Sequence, residues 1–322
     1  MSGVPKVELH VHLEGTAPPD LIRRIAERNG LPVPEGVFAA PDRFAYTDFL
    51  DFLKTYDKAA SVIRTGEDYR DITYEYLMSC AAEGGIYVEL TASPDHAKLV
   101  GLSDEKHLDG IARGIDDARA EGGIEGRVLI SCVRNFGVEP ALRVARYAAE
   151  RPHPYVVGFS MAGDEENYPP AAYAEVFEIA ADAGLGCTVH AGEWAGPESV
   201  REALKLPVSR IGHGVRSIED LALVEELVER GIVLEVCPTS NVVLGIYRSY
   251  GEHPLPRLRD AGVQVTLGSD DPPYFGATIG GEYALCHEHY GLDDGALTGI
   301  TRTAIAAAFC DETLKQRLTQ TV

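Results

Sequence analysis

The sequence predicts an α/β chain folded as a (β/α)8 TIM barrel. Three observations carry this: eight short β-branched runs, amphipathic segments between them, and glycines that close several of those segments. The runs are Lys6 to His12, Ile86 to Thr91, Arg127 to Val133, Tyr155 to Met161, Gly186 to His190, Arg210 to His213, Ile232 to Val236 and Val263 to Leu267. Helical periodicity covers Pro18 to Asn29, Tyr173 to Ala183, Ile218 to Arg230 and Leu255 to Ala261. Gly30, Gly184, Gly231 and Gly262 follow these segments at the left-handed stop position, where glycine has no Cβ to clash. Strand then helix, repeated, favours a closed parallel barrel over a doubly wound open sheet.

The first connection, 15–85, is far longer than the ~2–6 residues usual in such units. Its helical patterns at Asp48 to Val62 and Asp68 to Ala82 predict a lid-like helical insertion after strand one, on the barrel's mouth. No low-complexity tract, internal repeat or Pro/Ser-rich hinge marks a second domain, so residues 1–322 read as one.

Fifty acidic against 29 basic side chains give a net charge of −21, a field that repels polyanions and argues against a nucleic-acid polymer as substrate. A small neutral or cationic molecule meets no such barrier. Met1 to Gly15 lacks a secretory pattern, and no later stretch stays apolar for ~18 residues, so the expectation is a cytoplasmic chain with no membrane partner. The six cysteines are scattered and never spaced C-x-x-C, which predicts reduced, mostly buried thiols.

Polar residues gather where the predicted strands end. In Lys6 to His12, alternation at period two puts Glu8, His10 and His12 on one strand face, so both imidazoles look the same way and can grip one metal. The same spacing at His287 and His289 lies in a helical stretch, Glu282 to Tyr290, where it turns the rings apart. His190-Ala191-Gly192-Glu193, Gly212-His213-Gly214 and Ser269-Asp270-Asp271-Pro272 each follow a strand. That is the face where barrel enzymes assemble their sites. Three histidines and a carboxylate suit Zn²⁺ with a position left for water. Ser240 and Asn241 are able to support such a centre by hydrogen bonds, and a simple turn there reads nearly as well.

These segments together, PKVELHVHLEG, AGDE at Ala162 to Glu165, TVHAGEWAGPESV, RIGHGV, CPTSN at Cys237 to Asn241 and LGSDDP, resemble the adenosine deaminase family of amidohydrolase-type barrels from Pro5 to about Phe309. The resemblance implies one Zn²⁺ per chain, held by His10, His12, His190 and Asp270. It implies Glu193 as proton donor to the purine, His213 and Asp271 as the groups that handle the attacking water, and Gly163 as a backbone contact to the base. Zinc chemistry suits that reading, because the ion lowers the pKa of bound water toward ~7. Dinuclear relatives commonly bridge their metals with a modified lysine on strand four, and Tyr155 to Gly163 contains none. The cytosine-type signature P-C-x-x-C is absent, Cys237 preceding Pro238. A catalytically inactive purine-binding barrel is the rival of a different class, and the full complement of ligands and donor speaks against it.

The implied partner is a small-molecule purine nucleoside or base. The GDE block, the His190 to Val200 run and VELTASP at Val88 to Pro94 look more like the nucleoside enzymes, so the expected reaction is hydrolysis of adenosine or 2′-deoxyadenosine to the inosine product plus ammonia. Adenine deaminase and aminofutalosine deaminase are the alternatives. Glu14 stands where many adenosine deaminases carry an aspartate associated with the ribose 5′-hydroxyl, as adenine deaminases often have it, and either serves ribose or fills its space.

Overall fold

A computed structural model describes residues 3–322. β1 (Lys6–His12) leads through α1 (Pro19–Arg28), an antiparallel hairpin of β2 (Phe38–Ala40) and β3 (Arg43–Phe44), α2 (Phe49–Ala60) and α3 (Gly66–Ala82) to β4 (Gly85–Ala92). Then follow α4 (Pro94–Leu99), α5 (Asp104–Gly122), β5 (Glu125–Val133), α6 (Val138–Glu150), β6 (Val156–Ala162), α7 (Ala174–Asp182) and β7 (Gly186–Ala191). The remainder is α8 (Pro197–Ala203), β8 (Arg210–His213), α9 (Leu221–Arg230), β9 (Val233–Val236), α10 (Pro238–Val243), α11 (Leu255–Asp260), β10 (Gln264–Leu267) and α12 (Pro272–Phe275). The helices α13 (Ile279–Tyr290), α14 (Asp294–Ala307) and α15 (Glu312–Thr319) close the chain.

β1 and β4 to β10 form one eight-stranded sheet in sequence order, each neighbouring pair parallel. It closes on itself. The His12 N–H donates to the Asp270 carbonyl at 3.0 Å, and the Asp270 N–H donates to the His10 carbonyl at 3.2 Å. The (β/α)8 barrel is therefore the observed architecture, with strand ends within two residues of those the β-branched runs predict. Gly30, Gly184, Gly231 and Gly262 all have positive φ just past their helices, as the stop positions require.

The long first connection divides into two parts. α3 belongs to the outer ring: Tyr69, Ile72, Tyr76 and Leu77 are buried, and α5 lies close against it. Gly110 and Gly114 permit that approach, since a Cβ at either would come within 2.6 Å of an α3 backbone oxygen or closer. Of the rest, α2 lines the mouth. A capping box of Thr65 and Asp68 starts α3, and the Asp68 carboxylate also accepts from Arg28 and Asn29, tying α1 to α3. At the opposite end of the barrel, α14 and α15 bury Ile305, Leu314 and Leu318 with Val7, Leu9 and Tyr87. All six cysteines are buried free thiols, and among the described residues no helix is long and apolar enough to cross a membrane.

Candidate active site

The strands deliver the predicted residues to one end. His10 and His12 come from β1, His190 from β7 and His213 from the end of β8, while Asp270 and Asp271 follow β10. Glu193 follows β7, Gly163 follows β6 and Glu14 follows β1. His12, Glu14, Gly163, His190, Glu193, His213, Asp270 and Asp271 line one cavity at the C-terminal mouth, and His10 lies against it. α2 forms the opposite wall with Phe49, Phe52, Leu53 and Tyr56. His213 (φ 60°) and Asp270 (φ 66°) are the two non-glycine residues with positive φ among the described residues. Such backbone costs roughly 1–3 kcal/mol and persists where the surroundings dictate it. Here β1 grips Asp270 on both sides of its peptide.

The donor set asks for a cation. The His190 Nδ1 faces the Met161 carbonyl at 3.0 Å, so that nitrogen carries the proton and Nε2 presents a lone pair. The His10 Nδ1 faces Glu235 Oε2 at 3.0 Å, which likewise turns a lone pair outward at Nε2. Yet His10 Nε2 stands 3.6 Å from Asp270 Oδ1 and has no hydrogen-bond partner, and His12 Nε2 lies 3.1 Å from His190 Nε2 and 3.2 Å from Asp270 Oδ1. Lone pairs converging on a carboxylate repel one another unless positive charge sits among them. Burial opposes charge on His10, but the neighbouring Asp270 carboxylate and the hydrogen bond to Glu235 outweigh it and push its pKa up to about 10, so a proton can answer that demand as a metal can. The ligand-capable atoms fall into two overlapping groups, His10, His190, His213 and Asp270, and His12, Asp270 and Asp271. The residues present thus fit a metal ion, with Asp270 common to both groups.

The acids divide into two kinds. Asp270 lies well below the usual carboxylate range: burial works against this, and the close His10 and His12 rings prevail. Glu193 and Asp271 are pushed well above it, first by burial and then by the neighbouring Asp270 charge. The Glu193 carboxylate lies 3.6 Å from His213 Nε2. Asp271 Oδ1 is buried without a hydrogen-bond partner, under Gly15, where a Cβ would come within 1.7 Å of it. Burial drives the His213 pKa down to about 3, so its ring is neutral.

Several supporting residues escaped sequence reasoning. Glu165 accepts backbone N–H bonds from the four residues 192–195, among them Glu193 at 3.0 Å and Trp194 at 2.9 Å, which fixes the loop carrying Glu193. Glu235 orients His10 and is itself paired with Arg210, whose guanidinium also meets Glu89 at 2.6 Å. The visible signal was a lone charge inside an apolar strand, as in Val233-Leu234-Glu235-Val236. Ser240 does support the centre, its hydroxyl donating to Asp270 Oδ2 at 2.6 Å, and Asn241 meets His213 Nδ1 at 3.2 Å. Glu8 does not join His10 and His12. A register shift between Glu8 and Val11 interrupts the alternation, and its carboxylate bonds Ser269 and the Tyr76 hydroxyl of α3. His287 and His289 are exposed on α13, away from the cluster.

The profile of a family described as Adenosine deaminase matches residues 5–322. An adenine deaminase of Agrobacterium fabrum (strain C58 / ATCC 33970) is 47% identical over 314 residues, which are 97% of this chain and 96% of that protein. Among solved structures, adenine deaminase from Arthrobacter aurescens superposes with a TM-score of 0.89 at 30% identity, covering 98% of this chain and 97% of its own. A zinc-bound amidohydrolase from Burkholderia ambifaria gives 0.89 at 26% identity over 99% and 89%. A full-length match, a closed barrel and a cation-demanding cluster at its mouth agree, and the chain belongs to the adenosine deaminase family of metal-dependent aminohydrolases.

Proposed function

We propose that the protein hydrolyses free adenine to hypoxanthine and ammonia at a single zinc centre. Relatives 47% and 48% identical over nearly the whole chain are named adenine deaminase, and this favours the free base over the nucleoside that the GDE and HAGEWAGPE blocks suggested. The observation that carries the reading is the state of Glu14. Its Oε1 accepts from the Ser93 N–H at 3.2 Å and the Tyr69 hydroxyl at 3.3 Å, and its Oε2 accepts from the Tyr56 hydroxyl at 3.3 Å. A carboxylate has about four acceptor sites, which leaves one on Oε2 beside the cavity. Free adenine offers a ring N–H to an acceptor. In a nucleoside that hydrogen is replaced by the sugar, which would also need room where Phe49, Phe52, Leu53 and Tyr56 of α2 wall the cavity.

His10, His12, His190 and Asp270 would hold the zinc, which supplies a water made acidic enough to attack at neutral pH. The chain's own groups do the rest. Asp271, with its open Oδ1, takes the proton of the attacking water as oxygen bonds to C6. Glu193 gives its proton to N1, so the ring is not left with uncompensated negative charge. The backbone at Gly163 contacts the base edge; a Cβ there would come within 2.2 Å of Asn135 Oδ1, so glycine leaves that wall free of a side chain. As the C6–N6 bond breaks, the proton held by Asp271 passes to the leaving nitrogen to release ammonia, and the C6 hydroxyl returns its proton to Glu193 as the carbonyl of hypoxanthine forms.

In a side-by-side assay, adenine is expected to exceed adenosine in kcat/KM by on the order of 10⁴-fold, as sites built around one hydrogen-bonding substrate group discriminate. Equal or better turnover of adenosine overturns the assignment. Glu14→Ala should lower adenine kcat/KM by roughly 10- to 100-fold, leave metal content unchanged and narrow the gap to adenosine.

A further inference from the structure

His213 sits at the end of a hydrogen-bond chain whose direction is fixed from its far end. The first link is the backbone N–H of Leu255, in the opening turn of α11, which meets His253 Nδ1 at 3.2 Å. A backbone N–H only donates, so Nδ1 accepts and the ring proton of neutral His253 lies on Nε2. That Nε2 donates to Asn241 Oδ1 at 3.1 Å. Burial keeps His253 neutral, and the alternative amide orientation of Asn241 would set two donors face to face. The Asn241 amide N–H then points at His213 Nδ1, 3.2 Å away, which must accept. All four partners are buried or nearly so, and no step of the chain offers a second solution.

The geometry points to Asn241 and His253 as positioning residues that hold His213 in the Nε2–H tautomer. His213 is then a hydrogen-bond donor toward the attacking water rather than its base. This rests on the proposed aminopurine hydrolysis. The contrast with its neighbours is internal to the site. His10 and His190 keep their protons on Nδ1, facing Glu235 and the Met161 carbonyl, and turn lone pairs inward. His213 turns a proton inward, toward Glu193 Oε1 at 3.6 Å and Asp270 Oδ2 at 3.9 Å. Within one cluster the backing partner thus decides which imidazoles offer a lone pair to a cation and which offers a hydrogen to an oxygen. Abstraction of the water's proton falls to Asp271, whose Oδ1 has no other partner.

The test begins with nitrogen NMR on the ¹⁵N-histidine-labelled zinc-loaded enzyme, with His213 identified by its absence in His213→Gln. Couplings from the ring C–H protons report which nitrogen is protonated. The expected pattern is Nε2–H for His213, and the Nδ1–H pattern overturns the inference whatever purine the enzyme prefers. Asn241→Asp keeps the shape and still accepts from His253, but it presents an acceptor to His213 Nδ1 and so reverses the tautomer. On whichever purine the native enzyme turns over best, kcat should fall by at least ~10²-fold, the usual effect of losing one oriented donor, with KM, metal content and Tm near native. Native kcat in Asn241→Asp sinks the proposal, and so does a loss confined to Tm or metal content, which would mark a merely structural contact. If Asn241→Asp does not accumulate, the native spectrum decides alone.

Discussion

Glu193→Gln is expected to lower kcat by ~10²- to 10⁴-fold, the range for loss of a general acid, in a protein that keeps its fold and its metal. Glutamine matches the size of glutamate and retains a donor, so it can still meet the base, but it has no proton to release. The effect should therefore fall on kcat more than on KM. The native carboxyl is suited to the role because burial, reinforced by Asp270 and Glu165, lifts its pKa well above the ordinary carboxylate range. An acid raised in this way is active while protonated and loses activity as pH rises through the raised value. The alkaline limb of the native kcat/KM profile that belongs to Glu193 should accordingly vanish in Glu193→Gln. A variant with native kcat would exclude Glu193 from proton transfer, and one lacking metal would identify it as a support of the centre instead.

Stripping the metal should abolish turnover and also weaken the fold, with one equivalent of zinc per chain restoring both. The second effect follows from the lone pairs of His10, His12 and His190 converging beside Asp270 without a cation. A ligand present at a thousand times its dissociation constant stabilises the folded state by about 4 kcal/mol, a gap visible in the melting temperature. His190→Ala should lower metal occupancy and activity together, since its Nδ1 anchor at Met161 has no purpose without the ring. Full activity in metal-free protein contradicts the zinc assignment, and two firmly held equivalents contradict the single centre.

The barrel was legible because its strands are short, β-branched and separated by helices that end at glycine, all of which are local signals. The residues that gather at the mouth were legible because motifs mark the ends of strands, where the fold itself concentrates chemistry. What stayed hidden depends on contacts between distant segments. Glu165 looks like a loop acid until its carboxylate is seen collecting the N–H groups of residues 192–195. His253 lies 40 positions beyond His213, two residues before a short helix, and gives no local sign that it touches the site through Asn241. The shared face expected for Glu8, His10 and His12 failed for a related reason: alternation at period two holds only while the ladder is regular, and the β1–β4 register shifts within that stretch. The choice between nucleoside and base was not legible in the blocks around the purine; the proposed preference rests on how Glu14 is gripped by Tyr56 and Tyr69, 42 and 55 positions away.

One contact at the mouth has a practical side. The chain contains a single tryptophan, Trp194, and its ring lies 4.8 Å from that of Phe49 at the start of α2. Its backbone is fastened to the barrel through Glu165 and Arg216, so the indole is held with Glu193, while Phe49 belongs to α2. The molecule therefore carries its own optical gauge. Ultraviolet emission from one fluorophore reports on the seam between α2 and the loop that bears Glu193, and a stopped-flow trace of unlabelled enzyme mixed with purine shows whether that seam changes before ammonia is released.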